Sequence, residues 1–428
     1  MRPFDIRAGL SYGALGLPLA FVALPLYVIL PNHYASQLGV PLALLGAVLL
    51  GARLLDAVAD PLIGRWVDRL FAHSPRRALG VASAAALVLA LGFHALFFPQ
   101  VEGTAALLWW CAIVLAITYL AFSTITVVHQ AWGARLGGDE GQRTRVVAWR
   151  EAAAVIGVLV ASVLPSLAGL GVTSATFAVL LVLGLALLAR APQPAPNPVA
   201  AADAHALLLP FHSGSFRRLL VIFLLNGVAS AVPATLVLFF IRDRLQAPSW
   251  EPAFLVAYFA AGALSIPLWV RLVGRVGLAR AWLAGMGLAI LSFVWAFTLG
   301  VGDTLGFLAV CVASGVALGA DLALPGALLT GVIQQAGHAG RAEGAYLGWW
   351  NFATKLNLAL AAGVALPLLA AFGYTPGTRD PAALLALAFA YCLLPCALKL
   401  CAAASLWTLW LRRAESVAAP SPPLAHHR

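Results

Sequence analysis

Apolar residues in this chain come in long blocks with few polar interruptions, not in the short alternations of a soluble fold. Blocks of membrane-crossing length cover about 9–31, 40–62, 78–98, 105–133, 148–168 and 173–190. A second set covers about 217–241, 252–273, 280–300, 304–332, 345–371 and 383–411. At about 20 residues per crossing, each suffices for one helix through the hydrocarbon layer. The pattern predicts an all-α membrane protein with twelve transmembrane helices in two six-helix bundles. Between the sets lies the Pro- and Ala-rich stretch APQPAPNPVAAADAHA, whose composition cannot pack a core. The expected division is therefore a bundle over 1–190, a cytoplasmic linker over 191–216 and a bundle over 217–428. The halves echo each other weakly. Pro61-Leu62 with Arg65 and Arg69 recurs at one offset as Pro267-Leu268 with Arg271 and Arg275. Such parallel repeats are a transporter architecture, with the binding site between the halves near the midplane.

Composition narrows the class. Only 10% of residues are charged and 62% are hydrophobic, against about a quarter charged in soluble domains. The net charge of +10 does not point to nucleic acid, because the basic residues fall where loops are expected. With the N-terminus placed in the cytoplasm, nineteen of the 26 Lys and Arg residues lie in cytoplasmic loops and tails, and three lie outside. That asymmetry puts both termini in the cytoplasm of a bacterial inner membrane. Met1 to Arg7 runs straight into the first apolar block without a cleavage site, so this block is expected to be an uncleaved helix. The five cysteines (Cys111, Cys311, Cys392, Cys396 and Cys401) sit within apolar blocks, with neither disulfide nor metal-ligand spacing. No nucleotide-binding loop, nucleophile elbow or zinc-protease motif occurs. Neither an enzyme, a bound metal nor a cofactor is expected.

Four basic residues remain inside the apolar blocks: Arg53, Arg150, Lys355 and Lys399. They are joined by Asp56, Asp60 and Asp321, with Glu151 near the end of the fifth helix. Each charge at membrane depth costs about 2.5–3.5 kcal/mol on insertion scales, so each needs a partner or a task. Arg53, Asp56 and Asp60 are spaced three and four apart and share one face of the second helix. Two carboxylates one turn apart repel unless they share a proton or a cation. The alternative is a buried Arg–Asp structural pair.

These residues carry a family resemblance. Asp56-x-x-x-Asp60-Pro61-Leu62-Ile63-Gly64-x-x-x-Asp68 resembles the second-helix signature of the glycoside–pentoside–hexuronide:cation symporters, the melibiose-permease-like branch of the major facilitator superfamily. Val128-His129-Gln130-Ala131-Trp132, continuing through Leu136 and Asp139 to Arg143, resembles the family's fourth-helix segment. Arg150 matches its fifth-helix arginine. Arg341-x-Glu343-Gly344, followed by Gly348-Trp349-Trp350-Asn351 and Lys355, is similar to the run that enters its eleventh helix. The resemblance implies a coupling cation, H⁺ or Na⁺, between Asp56 and Asp60. Ser123 and Thr126 of the fourth helix are its further oxygens, and Arg53 tunes the carboxylates. It also implies that Lys355 faces the pair across the cavity. There Lys355 neutralises the acids when the cation is absent and turns toward substrate or Asp321 when it is present. A fixed Lys355–Asp321 pair is the plainer alternative.

The sugar side departs from the family. Pro18 and Thr126 stand where it carries carboxylates, and Ala59 replaces an Asn beside the second acid. This weighs against a neutral oligosaccharide and leaves sugar-like, anionic and amphiphilic solutes open. Arg150, His129, Trp132 and Asn351 are expected along the substrate route. Arg150 has an alternative pairing with Glu151, Asp139 or Glu140, and His129 an alternative role joining helices. Lys399 is expected to snorkel to the surface. Asp68 and Arg69, with Arg341 and Glu343, are expected to form a cytoplasmic gate, Asp68 pairing with an Arg of the other bundle. The expectation is a monomeric secondary transporter in the lipid bilayer, whose partners are a small organic solute and a monovalent cation. A proton-driven exporter of the same fold and a membrane-embedded lipid-handling enzyme using His129 and Asp321 are the alternatives.

Overall fold

A computed structural model describes residues 5–194, 207–375 and 377–412, and these are helical with short connections. The long helices are α1 (Ile6–Tyr27), α2 (Leu42–His73), α3 (Pro75–Phe97), α4 (Thr104–Arg135), α5 (Glu140–Pro165) and α6 (Leu167–Leu188). They are followed by α7 (Gly214–Arg244), α8 (Pro248–Val276), α9 (Leu278–Phe297), α10 (Thr304–Gln335), α11 (Glu343–Ala371) and α12 (Pro381–Leu411). Among the described residues, ten of these are long and apolar enough to cross a membrane. The expected twelve is not reached on that measure. The other two, α2 and α11, have 32 and 29 residues and carry Arg53, Asp56, Asp60 and Lys355.

Helix ends follow local chemistry. Ser74 caps α3 by accepting from the Arg77 amide at 3.2 Å, with Pro75 as first helical residue. Asp139 caps α5 through the Gln142 amide at 2.7 Å, and Asp380 caps α12 through Ala383 at 2.9 Å. Pro165 and Gly169, the latter at φ 79°, break the chain between α5 and α6. Several helices outrun the apolar blocks that predicted them. α2 continues to His73 and α4 to Arg135, so their last turns project beyond the apolar stretch and carry Asp68 and Arg135. Hydropathy ends at the membrane surface, but backbone hydrogen bonding does not.

On α2, Leu54, Val58 and Leu62 are exposed while Asp56 and Asp60 are buried. The helix is polar inside and apolar outside, as a lipid solvent requires. Its inner face lies so close to α11 that only glycine fits at the crossing. A Cβ on Gly348 would stand 2.5 Å from the Asp60 carbonyl oxygen and 2.8 Å from Pro61 Cα. Gly64 and Gly344 approach each other's carbonyls more closely still. One buried apolar cluster runs from α1–α6 across to Trp269, Trp282 and Tyr346, whereas a second, around Phe240, Phe307 and Tyr391, stays within α7–α12.

The flanks of the expected linker are pinned by two indoles. Trp132 donates to the Pro192 carbonyl at 2.9 Å and Trp349 to that of Leu207 at 2.8 Å. The centre of the linker, 195–206, lies outside the described residues, as do both termini at 1–4 and 413–428.

Candidate functional site

Asp56 and Asp60, one turn apart on the inner face of α2, are 3% and 0% exposed. Lys355 reaches them from α11, its Nζ 2.6 Å from Asp56 Oδ2 and 2.7 Å from Asp60 Oδ2. Ser123 of α4 completes the group. Its hydroxyl donates to Asp56 Oδ1 at 2.6 Å and accepts from Lys355 Nζ at 3.1 Å. Three helices thus hold one ammonium among two carboxylates and a hydroxyl. Asp60 Oδ1 is buried and makes no hydrogen bond among the described residues. A buried carboxylate oxygen left so is costly unless it ligates something in another state. The oxygens gathered here suit a proton or a small cation exchanging with the ammonium.

Two expected members of this group stand apart. The Arg53 guanidinium lies over the Tyr27 ring, 4.5 Å from its centroid. A cation on an aromatic face needs no carboxylate partner. Thr126 sits one turn beyond Ser123, and its buried hydroxyl has no hydrogen-bond partner among the described residues.

Asp321 pairs with Lys399 of α12 at 2.8 Å, not with Lys355. Lys399 does not snorkel: it is 3% exposed. Its Nζ also donates to Asn226 Oδ1 at 2.7 Å and Ser230 Oγ at 3.1 Å. Asp321 Oδ1 accepts from Asn226 Nδ2 at 3.0 Å and Trp282 Nε1 at 2.9 Å, and Oδ2 from Ser230 Oγ at 3.1 Å. Every charge in this network is answered within α7, α9, α10 and α12, which removes any drive for the ammonium to seek the surface.

Between the halves lies a chamber of about 270 Å³ whose wall includes Gln130, Arg150, Glu151, Asp321, Asn351 and Thr354. Trp350 forms an aromatic floor, stacked on Phe223 with centroids 3.7 Å apart. Of the four residues expected on the solute route, Arg150 and Asn351 line this chamber. Arg150 is also bound to its neighbour, Nη2 to Glu151 Oε1 at 2.6 Å. His129 and Trp132 lie elsewhere. His129 is fully buried with Nε2 2.8 Å from the Tyr12 carbonyl oxygen, while the Tyr12 hydroxyl donates back to the His129 carbonyl. That exchange clamps α1 to α4. Trp132 packs edge-on against Phe71 and holds Pro192.

At the arginine-rich ends of the helices a second polar cluster joins the halves. Asp68 accepts from the Gly344 and Ala345 amides at 2.7 and 2.8 Å, the free N–H groups at the start of α11. Its arginine is Arg135, at 2.9 Å, from α4 of its own half and not from the other. Arg135 also meets Glu343 at 3.0 Å and the Gly340 carbonyl at 2.8 Å, with Phe71 under its guanidinium. Arg69 and Arg341 are exposed and take no part. Burial is the main force on the acids here. It pushes the Asp68 carboxyl up to about 7, Arg135 opposing the rise and Glu343 adding to it. Burial raises Glu343 as well, against the pull of Arg135. Glu140 does the same work at another helix start: its Oε2 accepts from the Leu278 amide of α9 at 3.0 Å. Asp139, the cap of α5, and Glu140 are therefore engaged away from Arg150. The sequence flagged neither Arg135 nor Glu140 for these places. The only signal was an ionisable residue within a turn of a predicted helix end.

The sequence model of the family described as MFS/sugar transport protein matches residues 11–413. No curated protein matches the chain significantly. Solved structures do. A bacterial homologue of the iron transporter ferroportin, in an outward-facing state, aligns with a TM-score of 0.70 at 17% identity over 94% of this chain and 100% of its own. The major facilitator superfamily transporter FucP, in its outward conformation, gives 0.67 at 14% over 95% and 99%. The human organic anion transporter MFSD10 gives 0.62 at 18% over 94% and 99%. At these identities the likeness is one of fold: the chain has the multi-pass helical fold of the major facilitator superfamily.

Proposed function

The chain belongs to the MFS/sugar transport protein family, and from that membership we propose that it is a cation-coupled symporter of the melibiose-permease-like branch. It moves a small organic solute across the bacterial inner membrane by alternating access between two six-helix halves, with the arginine-rich face and both termini in the cytoplasm. One observation carries the reading: the Lys355 ammonium bridges Asp56 and Asp60 across the two halves. A cation or proton reaching these carboxylates takes the place of the ammonium, with Asp60 Oδ1 and Ser123 Oγ as additional oxygens. Lys355 is thereby released, and α11 with it. Asn351 lies one turn before Lys355 and Thr354 beside it, both on the chamber wall, so ion occupancy and solute contact act on one helix. That shared element supplies a coupling free energy between the two ligands.

The test is accumulation in proteoliposomes under an imposed Na⁺ or H⁺ gradient. Asp56→Asn and Asp60→Asn should each abolish gradient-driven accumulation while the protein stays folded and inserted. Wild-type accumulation by both variants would remove the carboxylates from coupling.

A further inference from the structure

The C-terminal half holds a second pocket, of about 140 Å³, among α7, α8, α9, α10 and α12. Phe254, Tyr258, Phe259, Phe293 and Tyr391 make up much of its wall, and Ala234, an exposed residue of α7, stands at its side. Asp321 borders both this pocket and the chamber between the halves, so the two spaces meet at one carboxylate. That carboxylate is already saturated: its two oxygens accept from Asn226, Trp282, Ser230 and Lys399. Two carboxylate oxygens offer about four lone-pair sites, leaving none for water or a solute hydroxyl on the pocket side. Lys399 spends its three donors on Asn226, Ser230 and Asp321. Ser314 donates to the Cys311 carbonyl. The acid, ammonium and serine groups on the pocket's border are thus occupied with one another, and the Tyr258 and Tyr391 phenols are the other polar groups on its wall. A cavity of about 150 Å³ lined largely by apolar side chains is large enough to take up benzene.

We propose that this pocket receives a compact apolar substituent of the transported solute, the size of one benzene ring, while the solute's hydrogen-bonding head occupies the chamber beside Arg150 and Asn351. The solute is then a polar head carrying one aryl or short branched alkyl group. The volume excludes a long acyl chain, and the aromatic wall favours a flat ring stacked or edge-on. The Asp321–Lys399 network forms the rim at which the two compartments meet and orients the solute at their junction. This deepens the transport reading above, in that it names the solute class of the same route.

Binding of 4-fluorobenzyl alcohol to the purified full-length protein, followed by fluorine NMR, tests the pocket directly. Saturable binding is expected, and Ala234→Phe, which fills the pocket from its exposed side, should weaken it at least tenfold. Phe293→Ala enlarges the pocket and should shift preference at least tenfold toward 4-fluoro-1-naphthalenemethanol. Absence of saturable binding to the wild type, equal affinity in Ala234→Phe, or an unchanged size preference in Phe293→Ala would each overturn the assignment. The probe is titrated in detergent with no Na⁺ or H⁺ gradient imposed, so a failure of cation coupling and a failure of the pocket are read separately.

Discussion

Replacing Gly348 by alanine tests how tightly the halves are held at the α2–α11 crossing. The new methyl would lie 2.5 Å from the Asp60 carbonyl oxygen and 2.8 Å from Pro61 Cα, where real Cβ contacts do not fall below 3.0 Å. Both obstacles are backbone, so no flexible side chain can yield. Relief requires α11 to withdraw from α2 by about 0.5–1 Å. The Asp68 bonds to the Gly344 and Ala345 amides, now 2.7 and 2.8 Å, would lengthen by a similar amount, past the usual N–H···O range of about 2.7–3.2 Å. Hydrogen bonds to a charged group contribute about 1.5–3 kcal/mol each. Losing both shifts the balance between closed and open arrangements by about 3–6 kcal/mol, or about 10²- to 10⁴-fold. Spin labels at the exposed positions Arg69 and Arg341, with the exposed Cys401 replaced by Ser, report the separation of these ends by double electron–electron resonance. The variant should show a dominant longer distance and slow transport. Gly80→Ala, with nothing within 4 Å of its Cβ, is the control. An unchanged distance distribution in Gly348→Ala would refute the argument that this crossing sets closure.

Further outcomes follow from the charged clusters. Lys355→Ala removes the ammonium that competes for Asp56 and Asp60, and should lower the apparent Kd of the coupling cation at least tenfold in a cation-dependent thermal-shift titration. An unchanged cation dependence would leave Lys355 a structural partner only. Asp68, raised to about 7 in the closed contact from a reference near 3.9, binds its proton more tightly there than when solvated. The proton-linked part of its stabilisation of closure is therefore fully present below about 3.9 and lost as pH rises through about 7. Asp68→Asn should flatten the rise in thermal stability between pH 8 and pH 5, and a pH profile matching wild type would contradict this. Lys399→Met leaves Asp321 buried without its cation and should cost about 3–5 kcal/mol. Lys399→Met with Asp321→Asn removes both charges and should recover most of that loss in unfolding temperature. Equal losses in the single and double variants would contradict this, showing that the loss does not come from an uncompensated Asp321 charge.

Much of the architecture was legible in the sequence because a lipid solvent imposes a coarse rule. Apolar blocks of crossing length must be helices, and charges within them must have partners. Asp56 and Asp60 stood out for that reason, since three- and four-residue spacings fix a helix face without any knowledge of the fold. The resemblance to a symporter family then placed Lys355 opposite them, and the ion pair across the halves matches that arrangement. Helix ends were less legible. α2 and α4 extend past their apolar blocks, and the residues in those extra turns, Asp68 and Arg135, join the halves.

Partners distant in the chain were beyond reach of periodicity. Lys399 and Asp321 are 78 residues apart, and nothing local distinguishes a lysine that will be buried in a saturated network from one that snorkels. His129 and Trp132 share a helix with Ser123, yet one clamps α1 and the other holds Pro192. Which of the possible partners a polar residue meets depends on how helices rotate and cross, and close backbone approaches such as Gly348 on Asp60 set those crossings. The sequence by itself determined which segments are helices and which charges demand an answer, because burial in lipid is decided residue by residue. Only the tertiary structure decided which charge answers which, because an ion pair depends on ångström distances between side chains that the chain order does not constrain.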